Sequence, residues 1–130
     1  MEKVPKILIV DDDPDLVESV KIMLENKNYK VFTAYDGIEG LQKTKETSPD
    51  LIILDVMMPN KDGYSVCTEL KSDPEYNEIP IILLTAVASN VPTTKYTQRM
   101  GMEIEAEDYI DKPVEPSELV KRAEALLQKA

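Results

Sequence analysis

Carboxylates and a few other polar side chains stand where the apolar runs of this sequence end. Residues 51–54 form an apolar run with two adjacent isoleucines, which is typical of a strand buried on both faces of a parallel sheet, and the run ends in Asp55. Three other predicted strands also end in polar groups, namely Asp11 and Asp12, Thr85, and Lys112. Because the carboxyl ends of parallel strands share one edge, we expect these side chains to converge there.

This set of side chains indicates phosphoryl chemistry with a hard cation. Three carboxylates at one point repel one another unless a positive charge joins them. The chain has no histidine and one cysteine, so its oxygen ligands favour Mg²⁺ (or Mn²⁺). Lys112 and the Thr85 hydroxyl are suited to hold a phosphoryl group. Singly, each residue would also fit a plain role, such as helix capping by residues 11–13, but their order along the strands favours a common site.

Strands and helices alternate along the chain, which predicts an α/β fold with a doubly wound parallel sheet and helices on both faces. Five strands are predicted, at residues 6–10, 29–34, 51–55, 80–84 and 108–110. Five helical patterns accompany them, and Asp13 is the predicted N-cap of the first. The least regular stretch is 87–107, where Pro92 and Gly101 would bound a short fourth helix. We expect one domain covering residues 1–130.

Composition and charge exclude several classes of protein. Of the 130 residues, 42% are hydrophobic and 31% are charged, which argues against disorder. The net charge of −10 disfavours direct binding of nucleic acid and of anionic membranes. No apolar run is long enough to span a bilayer, and the first residues lead into a strand, so a cytoplasmic protein is expected.

The single cysteine, Cys67, is predicted to be a buried structural thiol. It lies in a helical apolar stripe with Val66 and Leu70. Because the chain has no histidine to activate a thiol, nucleophilic catalysis by Cys67 is not expected.

Taken together in this order, the motifs resemble those of the receiver domains of two-component response regulators. The matching segments are Ile9-Val10-Asp11-Asp12, the block from Asp55 to Gly63, Leu84-Thr85-Ala86, and the block from Asp108 to Pro113. The resemblance extends over residues 6–127. It implies a flavodoxin-like fold of five strands in the order 2-1-3-4-5.

The resemblance also implies a role for each matching residue. Asp55 would be the phosphoacceptor, receiving a phosphoryl group from a sensor histidine kinase or a phosphotransfer protein. Asp11 and Asp12 would hold the metal together with Asp55 and the backbone carbonyl of Met57, with Asp12 the favoured direct ligand. Lys112 would pair with phosphoryl oxygens.

The remaining residues would form the switch and its supports. Thr85 would move towards the phosphoryl group while Tyr109 changes rotamer. A cis bond to Pro113 would aim Lys112, and Gly63 would permit the turn after the acceptor strand.

The output surface implied by the resemblance comprises the fourth helix, the fifth strand and the fifth helix. It would bind an unidentified downstream protein. A monomer is expected, with dimerisation through this surface after phosphorylation as the alternative. Thr85 and Lys112 are 27 residues apart, more than the family usually has, and a longer solvated loop is favoured over a dedicated partner-binding element. Met57 and Val87 cannot orient a water, so slow self-dephosphorylation is predicted, and no other enzymatic activity.

Three alternatives remain at this point. The first is a haloacid-dehalogenase-type phosphatase with Asp11 as nucleophile, although Asp15 stands where a small or hydroxyl residue is usual. The second is a flavodoxin-like electron carrier, although its phosphate loop would here be a carboxylate cluster. The third is a receiver that binds partners without phosphorylation. A stand-alone regulator and a piece of a larger protein would look the same.

Overall fold

The protein is described by a computed structural model covering residues 4–86 and 106–128. The strands are β1 (Lys6–Val10), β2 (Lys30–Ala34), β3 (Leu51–Asp55), β4 (Ile81–Ala86) and β5 (Asp108–Lys112). The helices are α1 (Pro14–Asn26), α2 (Gly37–Thr47), α3 (Gly63–Lys71) and α4 (Pro116–Gln128). The helix predicted between Pro92 and Gly101 lies outside the described residues, so α4 corresponds to the fifth helix predicted from the sequence.

The five strands form one parallel sheet in the order β2-β1-β3-β4-β5. This confirms the fold class and the strand order expected from the sequence. The register places Asp55 beside Leu84 and Thr85 beside Asp111. The polar residues that end the central strands therefore lie along one edge of the sheet.

Helices cover both faces of the sheet, and alternate residues of each strand enter opposite layers. One layer contains Leu8, Ile52 and Leu83 packed with residues of α3 such as Leu70. Residues of α1 and α4 fill the other layer together with strand residues such as Ile53. Burial on both sides explains why the central strands are continuous apolar runs in the sequence instead of alternating ones.

Local hydrogen bonds explain where α1 and β2 begin. Asp13 is the N-cap of α1, as predicted, and its carboxylate accepts hydrogen bonds from the backbone nitrogens of Asp15 (3.1 Å) and Leu16 (3.4 Å). The sequence pattern places Tyr29 at the start of β2, but Tyr29 precedes the strand. Its backbone nitrogen donates to the carbonyl of Leu24 (3.2 Å), and its hydroxyl donates to Glu124 (3.0 Å). These hydrogen bonds hold Tyr29 against α1 and α4, outside β2.

Lys71 and Glu107 fix the point where β5 begins. The Nζ atom of Lys71 lies 3.0 Å from the Glu107 carboxylate and donates to the carbonyl of Ile79 at 3.0 Å. Glu107 accepts a hydrogen bond from the backbone nitrogen of Ile81 (2.8 Å) and donates its own backbone nitrogen to the Ile81 carbonyl (2.9 Å). Glu107, the residue before β5, is therefore hydrogen-bonded to Ile81, the first residue of β4, through both its backbone and its side chain.

Cys67 is fully buried in α3, and burial raises the pKa of its thiol to about 12. The expectation of a buried thiol is thus confirmed. We expect iodoacetamide at about pH 8 to leave the native protein unmodified and to alkylate Cys67 promptly in concentrated urea, because only the exposed thiolate reacts. Mass spectrometry of both samples measures this. Rapid alkylation of the native protein, at a rate above that of unfolding, would contradict the prediction.

The described part of the chain contains no helix that is long and apolar enough to cross a bilayer.

Candidate functional site

The carboxyl ends of β1, β3 and β5 bring four charged residues together. Carboxylate oxygens of Asp11, Asp12 and Asp55 all lie within 4.8 Å of one another. The Nζ atom of Lys112 lies 3.0 Å from Oδ2 of Asp11 and 3.5 Å from Oδ2 of Asp55. These four side chains converge as the sequence pattern predicts. The hydroxyl of Thr85, the fifth residue of that pattern, bonds elsewhere.

Two of these carboxylates are shielded from solvent. The side chains of Asp11 and Asp55 are 0% and 2% exposed, whereas Asp12 is exposed. Oδ1 of Asp11 accepts a hydrogen bond from the backbone nitrogen of Asp13 (2.9 Å). Oδ2 of Asp11 has the charge contact with Lys112 but receives no well-directed hydrogen bond from the described residues. A buried carboxylate oxygen in that condition favours an additional positively charged partner.

The charges within the cluster also favour an additional positively charged partner. Burial, followed by the negative charge of Asp11, raises the pKa of Asp55 to about 7, and Lys112 offsets only part of this effect. Burial alone would lower the pKa of Lys112, but the nearby carboxylates of Asp11 and Asp55 outweigh it, so the pKa lies above its usual value. Lys112 is therefore charged at neutral pH and does not by itself balance the three carboxylates.

This donor set fits a hard divalent cation. It offers carboxylate oxygens from the ends of two adjacent strands, without sulfur or imidazole, and Oδ2 of Asp11 is buried with Lys112 nearby but without a well-directed hydrogen bond from the described residues. Oxygen-only sites of this kind suit Mg²⁺, which is held by a few carboxylates and completed by water. The acidic pocket can thus bind a metal ion.

The loop after β3 approaches the backbone of Asp55 closely. A Cβ atom at Gly63 would collide with the carbonyl of Asp55, and the backbone nitrogen of Gly63 donates to the carbonyl of Val56 (2.9 Å). Close approach, and not a left-handed backbone conformation, therefore explains this glycine. Met57 lies in the same loop with its side chain 66% exposed, and its backbone nitrogen donates to Oδ1 of Asp55 at 3.4 Å.

The segment following Lys112 also agrees with the sequence pattern. The peptide bond between Lys112 and Pro113 is cis, as the resemblance implies. The bond lies immediately after the lysine that contacts Asp11 and Asp55.

Thr85 is 5% exposed, and its hydroxyl points to β5. It donates a hydrogen bond to Oδ1 of Asp111 at 2.6 Å and lies 3.5 Å from the carbonyl oxygen of Ile110. Sequence reasoning assigned no role to Asp111. The signal that would have found it is the parallel register, which places Asp111 directly beside Thr85. Tyr109 lies two residues earlier on β5, 36% exposed, and burial raises the pKa of its phenol.

Comparison with known proteins identifies the family. Residues 7–124 match the model of the response regulator receiver domain, so the chain belongs to this family. Receiver domains are phosphoacceptor switches of two-component systems, and phosphorylation-dependent switching is their general function. The family assignment sets aside the phosphatase and the electron carrier considered above.

Similar proteins share both the sequence and the fold. The chain is 39% identical over 125 residues to the DNA-binding dual master transcriptional regulator RpaA of Synechocystis sp., covering 96% of this chain and 50% of that protein. It superposes on the receiver domain of a signal transduction histidine kinase from Syntrophus aciditrophicus with a TM-score of 0.85 and 35% identity, covering 98% of this chain and 92% of the other. The chain spans about half the length of the curated relatives it matches.

A further structure of the family has its metal in place. The receiver domain of the sensor histidine kinase PA1611 from Pseudomonas aeruginosa PAO1 has a magnesium ion coordinated in the active site cleft. This chain is similar to it with a TM-score of 0.80 and 27% identity, covering 97% of this chain and 99% of that one.

Proposed function

We propose that this chain accepts a phosphoryl group on Asp55 from a phosphohistidine of a sensor histidine kinase or a phosphotransfer protein, in a Mg²⁺-dependent (or Mn²⁺-dependent) reaction. The observation that carries the proposal is a buried Asp55 carboxylate set between two further carboxylates and one lysine at the edge of the sheet. Asp55 is the only one of the three carboxylates at this site that lies at the end of the central strand β3.

The chemistry is a phosphoryl transfer between two nucleophiles. A carboxylate oxygen of Asp55 forms a bond to phosphorus while the phosphorus–nitrogen bond of the phosphohistidine breaks. The imidazole nitrogen keeps the electron pair of that bond and takes up a proton. The product is an acyl phosphate on Asp55, and no oxidation or reduction is involved.

Asp11, Asp12 and Asp55 would hold the metal, together with the backbone carbonyl of Met57. When bound, Mg²⁺ supplies positive charge that offsets the charge of the carboxylates and of the phosphoryl oxygens. The buried oxygen of Asp11 that receives no hydrogen bond from the described residues supports this assignment, as does the magnesium ion in the similar receiver domain of PA1611. The exposed Asp12 is the ligand that solvent reaches most readily.

Lys112 would bind an oxygen of the incoming phosphoryl group. Its Nζ atom already contacts Asp55, and its raised pKa keeps it charged at neutral pH. A fixed positive charge at that position stabilises the charge that is spread over the phosphoryl oxygens during transfer.

The response to phosphorylation would travel from Thr85 to Tyr109. The new phosphoryl oxygens draw the Thr85 hydroxyl towards Asp55, space opens behind it, and Tyr109 packs into that space. The output surface would consist of the predicted fourth helix, β5 and α4, although that predicted helix and Val87 lie outside the described residues. Slow self-dephosphorylation follows from the apolar, exposed Met57.

Partners of the whole protein are also part of the proposal. A kinase or phosphotransfer protein acts upstream in the cytoplasm, and an unidentified protein or output domain acts downstream. The relative RpaA is a DNA-binding transcriptional regulator. With a net charge of −10, this chain itself is not expected to contact DNA directly. We expect a monomer before phosphorylation.

The test is the intact mass of the protein after incubation with phosphoramidate, with and without Mg²⁺. Wild type is expected to gain one phosphoryl group in the presence of Mg²⁺ only, and Asp55→Ala is expected to gain none. Asp50→Ala is a matched control, because Asp50 directly precedes β3 at the opposite edge of the sheet and should leave uptake unchanged.

Two outcomes would overturn the proposal. An adduct that survives Asp55→Ala but is lost in Asp11→Ala would move the phosphoacceptor to β1. Equal uptake in EDTA and in Mg²⁺ would remove the metal from the reaction.

A further inference from the structure

We propose that Asp111 is a positioning residue that holds the Thr85 hydroxyl on β5 before phosphorylation and thereby sets how readily the chain switches. The inference rests on the proposed function, because it assigns a partner to Thr85 in the unphosphorylated state. Asp111 would not touch the phosphoryl group and would act only through Thr85.

The geometry of the pair carries the proposal. Thr85 and Asp111 are register partners of β4 and β5, and the hydroxyl donates to Oδ1 of Asp111 at 2.6 Å. A hydrogen bond of this length to a carboxylate is at the short, charge-assisted end of the range. Thr85 is 5% exposed, so water competes poorly for its hydroxyl. The carbonyl of Ile110, at 3.5 Å, is a much weaker acceptor.

A threonine hydroxyl has only one proton to donate. It can serve the Asp111 carboxylate or an oxygen of a phosphoryl group on Asp55, but not both strongly. Phosphorylation therefore creates a second anionic acceptor that competes with the first. The balance between the two positions of Thr85 depends on the difference between these bonds, so weakening the bond to Asp111 shifts the population towards the active position.

The neighbouring charges offer a different explanation that an experiment must separate. Asp111 adjoins Lys112, which contacts Asp11 and Asp55. Removing the negative charge of Asp111 would also reduce repulsion of an incoming phosphoryl group, without any part for Thr85. An effect of charge alone persists when the Thr85 hydroxyl is absent, whereas an effect of positioning disappears.

The experiment is a double-mutant cycle on the initial rate of phosphoryl uptake from phosphoramidate at saturating Mg²⁺. We expect Asp111→Ala to raise the rate about threefold to tenfold, which is the shift that loss of one charged hydrogen bond to an exposed carboxylate can produce. Asp111→Asn keeps an acceptor oxygen without the charge, and its rate should lie between those of wild type and Asp111→Ala. In a Thr85→Val background, Asp111→Ala should change nothing.

A matched control tests the loss of one nearby negative charge. Glu115→Gln removes a charge three residues beyond Lys112 from an exposed side chain that makes no described side-chain contact, and its rate should equal that of wild type. An increase in this variant equal to that of Asp111→Ala would overturn the proposal in favour of charge. The proposal also fails if Asp111→Ala raises the rate equally with and without Thr85.

A second measurement does not depend on phosphorylation. The hydroxyl proton of Thr85 should be observable by NMR in the unphosphorylated wild type because a buried, hydrogen-bonded hydroxyl exchanges slowly, and it should be lost in Asp111→Ala. An unchanged hydroxyl resonance in that variant would show that Asp111 does not hold Thr85. Failure of the proposed function is recognised separately, since wild type would then gain no Mg²⁺-dependent adduct on Asp55, and the role of Asp111 would fall with it.

Discussion

Replacing Asp55 with asparagine is expected to raise the free energy of unfolding of the metal-free protein by about 2 to 4 kcal/mol at pH 8. The Asp55 side chain is 2% exposed, and burial together with the charge of Asp11 raises its pKa to about 7. In the unfolded chain the same carboxyl titrates near its ordinary value of 3.8. Holding the ionised form in the fold is therefore unfavourable, and asparagine fills the same space without a charge.

The sign of the pH dependence follows from the proton uptake of each state. Between about pH 4 and pH 7 the folded state binds the Asp55 proton more tightly than the unfolded state does, so this group makes the wild type lose stability as pH rises. The destabilisation is complete above the folded pKa. The advantage of Asp55→Asn should thus be larger at pH 8 than at pH 5, by about 2 to 3 kcal/mol.

Urea unfolding in EDTA at the two pH values measures this difference. Glu18→Gln is a suitable control because Glu18 is exposed on α1, and it should change stability by less than about 0.5 kcal/mol. Saturating Mg²⁺ should narrow the gap by binding preferentially to folded wild type. Equal stability of Asp55→Asn and wild type at pH 8 would show that burial and the neighbouring charges do not destabilise the ionised Asp55 carboxylate.

Lys112→Met is expected to strengthen metal binding and to slow phosphoryl transfer. We expect the variant to bind Mg²⁺ about tenfold more tightly than wild type at about pH 9, because the ammonium that lies beside the carboxylates of Asp11 and Asp55, and would repel the cation, is gone. Its rate of phosphoryl uptake should nevertheless fall about a hundredfold or more, because the charge that would bind the phosphoryl oxygens is lost. Methionine keeps the apolar stem of the side chain.

Isothermal titration calorimetry gives the affinity for Mg²⁺, and intact mass gives the rate of uptake. The high pH is needed because loss of Lys112 would raise the pKa of Asp55 further, and protons would then compete with the metal. Lys121→Met, an exposed lysine of α4, serves as the control and should alter neither quantity. Weaker Mg²⁺ binding in Lys112→Met would mean that the lysine supports the metal site instead of competing with it.

Much of the fold could be predicted from the sequence because the central strands are buried on both faces. The bounds of β1 and β3 agree with the predicted ones, since every apolar residue of these two strands contributes to a packed layer. Errors occur at the edges of the pattern. Tyr29 is of a residue type that favours strands, but its hydrogen bonds to Leu24 of α1 and Glu124 of α4 keep it outside β2.

The charged part of the site was predictable for a related reason. Acidic residues and a lysine directly after buried strands must meet at one edge, whatever the details of side-chain packing. The strand order came only from the family resemblance, because periodicity does not determine which strands are neighbours. The bond between Thr85 and Asp111 requires both the order and the register of β4 and β5, so patterns within separate segments could not reveal it.

The attachment of Glu107 to Lys71 and Ile81 has a consequence for the length of the connection between β4 and β5 in this chain. It sets the register of β5 at the first residue of β4, independently of how many residues connect the two strands. Insertions between them need not displace Lys112 from Asp11 and Asp55, because the alignment is re-established at Glu107 before β5 begins. The connection between β4 and β5 can therefore change in length while the site at the carboxyl ends of the strands remains the same.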